Sequence, residues 1–268
     1  MKHSGIAVLA LALAGCQSVQ TTQPGAVGID RSQSMLVSSK QINDSAKKAY
    51  AQTMQQAAQK GQLNRDAAQV ARVRTVAARL IPQTGAFRPD APAWQWEVNV
   101  VSSKEVNAWC MPGGKIAVYT GILDELKLSD DELAAVMGHE IAHALREHGR
   151  ERASQAMTQG LLINVVGAAA GLSGLTQDLS KTVLDLTFNL PNSRQDETEA
   201  DRIGVELAAR AGFDPRASIT VWQKLGQKGG GSSPEFLSTH PSDQSRISDL
   251  RVVSEKVLPL YEKTRAAH

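Results

Sequence analysis

Two histidines and a glutamate stand at a spacing that can hold a metal ion. His139, Glu140 and His143 form a His-Glu-x-x-His sequence. Residues four apart share one face of a helix, so both imidazoles can reach one ion, and the glutamate beside the first histidine can take a proton from an attacking water. This spacing is typical of zinc sites that hydrolyse peptide bonds, although a random chain of this length carries it about once in a hundred. Apolar neighbours such as Ile141 disfavour the alternative, a helix with surface histidines.

A third ligand is expected further along the chain, because catalytic zinc takes three protein ligands and keeps one position open. Glu197 and Asp201 are four residues apart and share a helix face, whereas Glu199 is offset by about 200 degrees from Glu197 and points away. One of the pair can ligate while the other hydrogen-bonds a ligand histidine, and a solvated acidic helix start is the alternative. His148 is expected on the same helix as His139 but on its opposite face.

The helices that position these residues carry start and stop signals. Ser129 and Glu132 form a capping box that opens the metal-binding helix. The later acidic helix is predicted over about 193–211, with Gly212 as its stop. Periodicity predicts further helices over 38–60, in the stretch from 64 to 82, from 214 onward and over 243–258. The apolar stretch 161–175 predicts a buried helix or a mobile lid, and 226–234 a flexible loop.

Alternating residues predict a small sheet between the helical segments. Strands are expected over 94–100 and, after the turn at 112–114, over 115–120. Helices dominate and the sheet is minor, so the predicted fold class is α+β.

The beginning of the chain has the pattern of a targeting signal. Residues 1–15 combine a basic start with an apolar run too short to span a bilayer. They end in Leu-Ala-Gly before Cys16, which resembles a bacterial lipobox and implies acylation of Cys16; the alternative is a plain signal peptide with a chance cysteine. Gln17 after it resembles the outer-membrane default. Residues 16–37 are expected to be a flexible lipidated tether, and 38–268 the catalytic domain.

Composition narrows the function classes. With 29 Lys and Arg against 27 Asp and Glu, the net charge of +2 is too small for an electrostatic nucleic-acid binder, so no nucleic-acid partner is expected. Two cysteines exclude a disulfide scaffold or a four-cysteine zinc module. Since Cys16 is assigned to the lipid, Cys110 is expected to be buried and inert, with a lone thiol as the alternative.

Four sequence blocks together resemble a known family. They are Asn107–Trp109 with Pro112–Gly121, the metal helix from Gly138 to His143, the acidic block Ser193–Asp201, and Thr239–Pro241 with Arg246. Their order and spacing over about 65–255 resemble the zinc metallopeptidases that include the CAAX prenyl protease and the HtpX-type membrane peptidases. Within that family the chain is similar to periplasmic lipoprotein members and to the β-barrel-assembly-enhancing protease. The membrane-spanning helices and the C-terminal helical repeats of those relatives are not expected here.

The resemblance implies a mostly helical gluzincin-type metallopeptidase domain, with a small β-sheet beside the HExxH helix. It implies one Zn²⁺ per chain, held by His139, His143 and Glu197, with Glu140 as the catalytic carboxylate. Asp201 corresponds to the acid behind a ligand histidine.

The same resemblance assigns roles around the zinc. His240 corresponds to a histidine placed over the zinc as a regulatory switch, or it stabilises the oxyanion, and Arg246 is its expected neighbour. The strand Lys115, Ile116, Ala117, Val118 and Tyr119 is expected to pair with an extended substrate.

The expected function is a membrane-anchored periplasmic zinc metalloendopeptidase that cleaves misfolded or mis-assembled envelope proteins. Its expected partners are polypeptide substrates, the outer membrane through the lipid and the envelope assembly machinery. Two alternatives are open: a lipoprotein chaperone or assembly factor with minor proteolysis, and a structural lipoprotein with a degenerate site. The intact Glu140 disfavours the second, because a structural metal site has no use for that carboxylate.

Overall fold

The computed structural model describes residues 17–169, 179–228, 234–241 and 244–266. The predicted α+β class is confirmed, because a mostly helical domain carries two small sheets. Its helices are α1 (Ser39–Gln59), α2 (Ala67–Leu80), α3 (Thr120–Glu125), α4 (Asp130–Leu145), α5 (His148–Ala169), α6 (Leu179–Phe188), α7 (Arg194–Arg210), α8 (Ala217–Lys228), α9 (Glu235–Thr239) and α10 (Gln244–Ala266). The expected signal sequence and Cys16 lie outside the described residues, as do the three glycines at 229–231 and residues 170–175 of the apolar stretch 161–175.

The strands form one two-stranded and one three-stranded sheet. β1 (Gln17–Val19) pairs antiparallel with β2 (Gln33–Met35). In the larger sheet, β5 (Lys115–Tyr119) lies between β3 (Glu97–Val101), which is parallel to it, and β4 (Ala108–Met111), which is antiparallel. Both sides of β5 are therefore hydrogen-bonded, so the expectation that Lys115–Tyr119 pairs with a substrate is wrong. β4 lies at the edge of this sheet and packs against α4.

The centre of the domain is the crossing of α4 and α7. Gly138 and Gly204 face each other there, and a Cβ added at Gly204 would lie 2.6 Å from the backbone nitrogen of His139. Only residues without a side chain allow two helix backbones to approach so closely. The crossing brings the buried carboxylates of α7 beside the histidines of α4. The predicted cap signals are confirmed: Ser129 and Glu132 form the capping box of α4, and Gly212 (φ +76°) follows the end of α7.

The segment before α1 is packed against the domain, which corrects the expectation of a flexible tether over 16–37. Val27, Ile29, Met35 and Val37 are buried. The backbone N–H of Val27 donates to the buried Glu206 of α7 at 2.9 Å. The polar composition of the segment concealed this docking, because it depends on only four scattered apolar residues. Residues 18–37 are called the N-terminal segment below.

Helices α4 and α5 are separate, although the sequence pattern suggested that His148 continues the metal-binding helix. Glu147 adopts a left-handed backbone conformation with φ +52°, which ends one helix and redirects the next. The Glu147 carboxylate accepts bonds of 2.6 Å from both Arg88 and Arg150, and these hold the turn. His148 consequently turns back toward the metal-binding face, and its expected position on the opposite face is wrong. No described helix is long and apolar enough to cross a membrane.

We expect Gly204→Ala to destabilise the protein by about 1–3 kcal/mol, because the new methyl group must push α7 away from the backbone of α4. Gly226→Ala is the matched control, since a Cβ at this helical glycine meets nothing within 4 Å. The control should be neutral or slightly stabilising, as alanine favours helix. Urea unfolding measures both changes. Equal stability of the two variants would contradict the close crossing.

Candidate metal centre

Four side chains from three parts of the chain converge on one buried point. Ligand atoms of His139, His143, Glu197 and His240 all lie within 4.8 Å of one another. Nε2 of His139 lies 3.1 Å from Nε2 of His143, and the Glu197 carboxylate lies 3.3 Å from Nε2 of His143 and 3.6 Å from that of His139. The two helices α4 and α7 thus bring together the three sequence-predicted metal ligands, and Glu199 is outside the group.

Asp201 and Arg246 fix the orientation of this group. Nδ1 of His139 lies 3.0 Å from the Asp201 carboxylate, so its proton is held there and Nε2 keeps its lone pair for the shared point. Arg246 donates two bonds of 2.8 Å to Asp201 and lies 2.7 Å from Glu197. Its guanidinium also stacks 3.7 Å over the ring of Trp222. Arg246 lies near His240, as the sequence placed it, because it donates a 2.8 Å bond to the backbone oxygen of Pro241. It also lies between Glu197 and Asp201 of α7.

Glu140 faces the same point from the other side. It is buried, and its Oε1 has no hydrogen-bond partner among the described residues. The backbone N–H of Cys110 in β4 donates to this carboxylate. Nε2 of His240 lies 3.3 Å from Oε1. A buried carboxylate with one oxygen left unpartnered is suited to take a proton from a reactant held there.

His240 is held by its far nitrogen and by ring stacking. Its Nδ1 lies 3.1 Å from the backbone carbonyl oxygen of Phe236 and 2.9 Å from the hydroxyl of Thr239. The ring stacks on Phe236 with centroids 4.3 Å apart. Because a carbonyl only accepts, the proton belongs on Nδ1, and Nε2 presents a lone pair to the metal point.

Sequence reasoning missed several residues of the site. Asn192, just before the cap of α7, donates a 2.8 Å bond to Glu197 and accepts a 2.6 Å bond from Arg152. Trp222 and Phe236 enclose His139. None of these lies in a metal-ligand pattern, so spacing gave no signal for them. Cys110 was expected to be buried; it is half-buried and lines a cleft that Glu140, His143 and His240 also line.

Burial and neighbouring charges set the ionisation of the group. Burial raises the pKa of Glu140 to about 8, and the Glu197 carboxylate adds to the rise. Burial lowers the pKa of His143 well below its usual value. Burial alone would raise the pKa of Asp201, but the charge of Arg246 and the bond to His139 bring it to about 2. His143 is therefore neutral and Asp201 ionised, as metal ligation and its support require.

The donor set fits zinc. Zinc binds imidazole nitrogen and carboxylate oxygen at about 2.0–2.1 Å, which places tetrahedral ligand atoms about 3.3 Å apart. The three distances among His139, His143 and Glu197 are 3.1, 3.3 and 3.6 Å. The lone pairs of both histidines and the Glu197 carboxylate are directed at one point, and Arg246 lies 2.7 Å from that carboxylate.

The comparison with family models agrees with this chemistry. Residues 67–254 match Peptidase family M48. That range holds α4, α7 and His240, and it covers most of the chain. The chain therefore belongs to Peptidase family M48 and is a zinc-dependent metallopeptidase.

Curated relatives come from both organelles and bacteria. The chain is 42% identical over 173 residues to the mitochondrial metalloendopeptidase OMA1 of Arabidopsis thaliana, covering 64% of this chain and 34% of that protein. It is 39% identical over 155 residues to OMA1 of Schizosaccharomyces pombe, covering 57% and 45%. It is 32% identical over 175 residues to the beta-barrel assembly-enhancing protease of Escherichia coli, covering 60% and 35%. The match thus spans between a third and half of each of these relatives.

We expect the purified protein to carry about one zinc per chain. His139→Ala and Glu197→Ala should each lose it, because two remaining ligands bind zinc far more weakly than three. Arg202→Ala is the matched control on α7, since Arg202 pairs with Asp249 away from the group. Elemental analysis measures the metal content. Full zinc in Glu197→Ala would contradict the third-ligand assignment, and Glu199 would then be the residue to test.

Proposed function

We propose that the protein is a zinc metalloendopeptidase that cleaves extended polypeptides, with His139, His143 and Glu197 as ligands and Glu140 as general base. The observation that carries this proposal is the unpartnered Oε1 of the buried Glu140, which adjoins the metal-binding group at His240. A structural metal site would need no such carboxylate. Bound zinc supplies a Lewis acid that polarises the scissile carbonyl and makes water acidic enough to attack at neutral pH.

Glu140 then performs the proton transfers. Its free oxygen accepts the proton of the attacking water, and the resulting acid passes that proton to the leaving amine. Burial and the Glu197 carboxylate raise the pKa of Glu140, which helps this group to keep the proton until the leaving amine takes it. Asp201 and Arg246 keep His139 and Glu197 oriented during the reaction.

The edge strand β4 is the proposed binding site for the substrate backbone. It pairs with β5 on one side, and the described sheet places no strand on the other. Its Cys110 lies beside Glu140, so a polypeptide paired with β4 would carry its backbone past the base. The adjoining cleft is walled by apolar side chains, namely Ile42, Trp109, Val183 and Leu186. We therefore propose a preference for extended chains with an apolar residue next to the scissile bond, such as misfolded polypeptides expose.

His240 is proposed as a switch. Its Nδ1 is engaged by the carbonyl of Phe236, so Nε2 offers a lone pair and lacks the proton that an oxyanion donor needs. His240 also belongs to the metal-binding group. A histidine in that place competes with water and substrate for the open position. This favours the switch over the alternative role left open by the sequence.

The bacterial envelope is the proposed location. The lipobox-like sequence ending in Cys16 supports anchoring to the outer membrane, with the domain facing the periplasm. The name of the Escherichia coli relative, an assembly-enhancing protease, supports mis-assembled envelope proteins as substrates and the assembly machinery as a partner. The relatives with mitochondrial names come from eukaryotes. If the protein acted mainly as a chaperone, loss of Glu140 would leave its envelope function intact.

Glu140→Gln should retain zinc and lose at least ~100-fold in the rate of casein cleavage, because a general base contributes that much or more. The substitution removes the base and no ligand. Cleavage and zinc content are measured on the same preparation, with Arg202→Ala as control. A rate near that of the unmodified protein would show that another group is the base.

His240→Ala should raise the basal rate on a quenched peptide several-fold, because removal of a competing ligand increases the fraction of open sites. Initial rates are compared at matched zinc content. A slower variant would indicate the oxyanion role instead, and an unchanged rate would remove His240 from the site.

Cys16→Ser should abolish membrane association and leave the domain folded, because the lipid anchor depends on that thiol. Palmitate labelling with membrane fractionation tests this in a bacterial host. Label retained by the variant would rule out Cys16 as the lipid site.

A further inference from the structure

The zinc ligand His143 contacts a second histidine on the side away from the metal point. Nδ1 of His143 lies 2.9 Å from Nδ1 of His148, which is almost fully buried. His148 is the first residue of α5 and reaches this place because the chain turns at Glu147. His148 takes no part in the proposed proton transfers, yet it lies in close contact with a zinc ligand.

A buried carboxylate determines where the proton of His148 lies. Nε2 of His148 is 3.3 Å from Glu199, which accepts further bonds from Arg146 at 2.7 Å and from Arg31. A carboxylate held between two arginines only accepts hydrogen bonds. His148 therefore donates from Nε2 and offers the lone pair of Nδ1 to His143. His143 in turn donates from Nδ1, which leaves its Nε2 free for the metal.

We propose that His148 and Glu199 are positioning residues for the zinc ligand His143, and that Arg31 of the N-terminal segment completes the set. This inference rests on the proposed function, because it takes His143 as a ligand. The arrangement matches the pair of Asp201 and His139, where an acid directly fixes the ligand. For His143 the acid acts through an intervening histidine.

The N-terminal segment is joined to this set by several bonds. Arg31 donates 2.7 and 2.9 Å bonds to Glu151, and its backbone oxygen accepts a 3.0 Å bond from Arg146. Gln33 adds a 2.6 Å bond to Glu151. The N-terminal segment, which follows the proposed lipid site, therefore supports a metal ligand. A substitution that breaks these bonds should lower the zinc affinity. A mere spacer would have no such effect.

The test compares two substitutions of His148 in the full-length protein, purified in detergent. His148→Leu keeps much of the volume but removes both hydrogen bonds, whereas His148→Gln can accept from His143 and donate to Glu199. Zinc affinity is measured by competition with a chelating dye, and the ligand field by the visible spectrum of the cobalt-substituted protein. Circular dichroism and thermal melting report the fold.

We expect His148→Leu to bind zinc roughly 10- to 100-fold more weakly, the usual cost of removing a partner of a ligand histidine. His148→Gln should recover most of the affinity and of the cobalt spectrum. Unchanged affinity in His148→Leu would overturn the proposal. An equal loss in both variants would do so too, because it would mean that the ring only fills space.

Arg31→Ala tests the contribution of the N-terminal segment. It also replaces His148→Leu as the test if that variant fails to fold, because Arg31 is partly exposed and its substitution disturbs the core less. It should lower zinc affinity by a smaller factor, whereas Arg72→Ala, which removes a surface pair with Asp130, should not change it. Equal affinity in the two arginine variants would exclude the segment from the set. Failure of the proposed function is distinguishable, because the unmodified protein would then not cleave casein, whereas the zinc affinities compared in these variants do not depend on cleavage.

Discussion

The close crossing of α4 and α7 is the constraint on which the site depends. Gly138 and Gly204 let the two backbones touch, so that the carboxylates of α7 meet the histidines of α4. Without this approach, a glutamate on α7 could not reach within 3.3 Å of a histidine on α4. Both helices begin with capping boxes, at Ser129 and Ser193, which fix where each turn of side chains starts.

Around this crossing, the buried carboxylates of α7 are tolerated because each of them is paired with an arginine. Arg246 lies between Asp201 and Glu197, and Glu199 lies between Arg31 and Arg146. Such pairs would be costly in a dry core if either member were removed. They hold the carboxylates of α7 in two opposite directions, one toward the metal point and one toward the N-terminal segment. Helix α7 therefore carries both acids that support the ligand histidines: Asp201 for His139, and Glu199, through His148, for His143.

Sequence pattern predicted the parts of the site that follow helical spacing and missed those that depend on turns. The i, i+4 rule placed His139 with His143 and Glu197 with Asp201, and it turned Glu199 away from the metal. It failed for His148 because Glu147 breaks the helix, a conformation that a glutamate rarely adopts. Sequence pattern also failed to predict that the N-terminal segment docks, because this docking depends on scattered apolar residues. It failed to predict the central place of β5, because that place depends on the order of the strands in the sheet.

The central claim is that α4 and α7 hold one zinc between two histidines and a glutamate. Anomalous diffraction at the zinc edge, from crystals of the zinc-loaded protein, tests it most directly. The account predicts a single strong peak about 2 Å from Nε2 of His139, Nε2 of His143 and the carboxylate of Glu197. A peak between His143, His148 and Glu199, or none near α4, would contradict it.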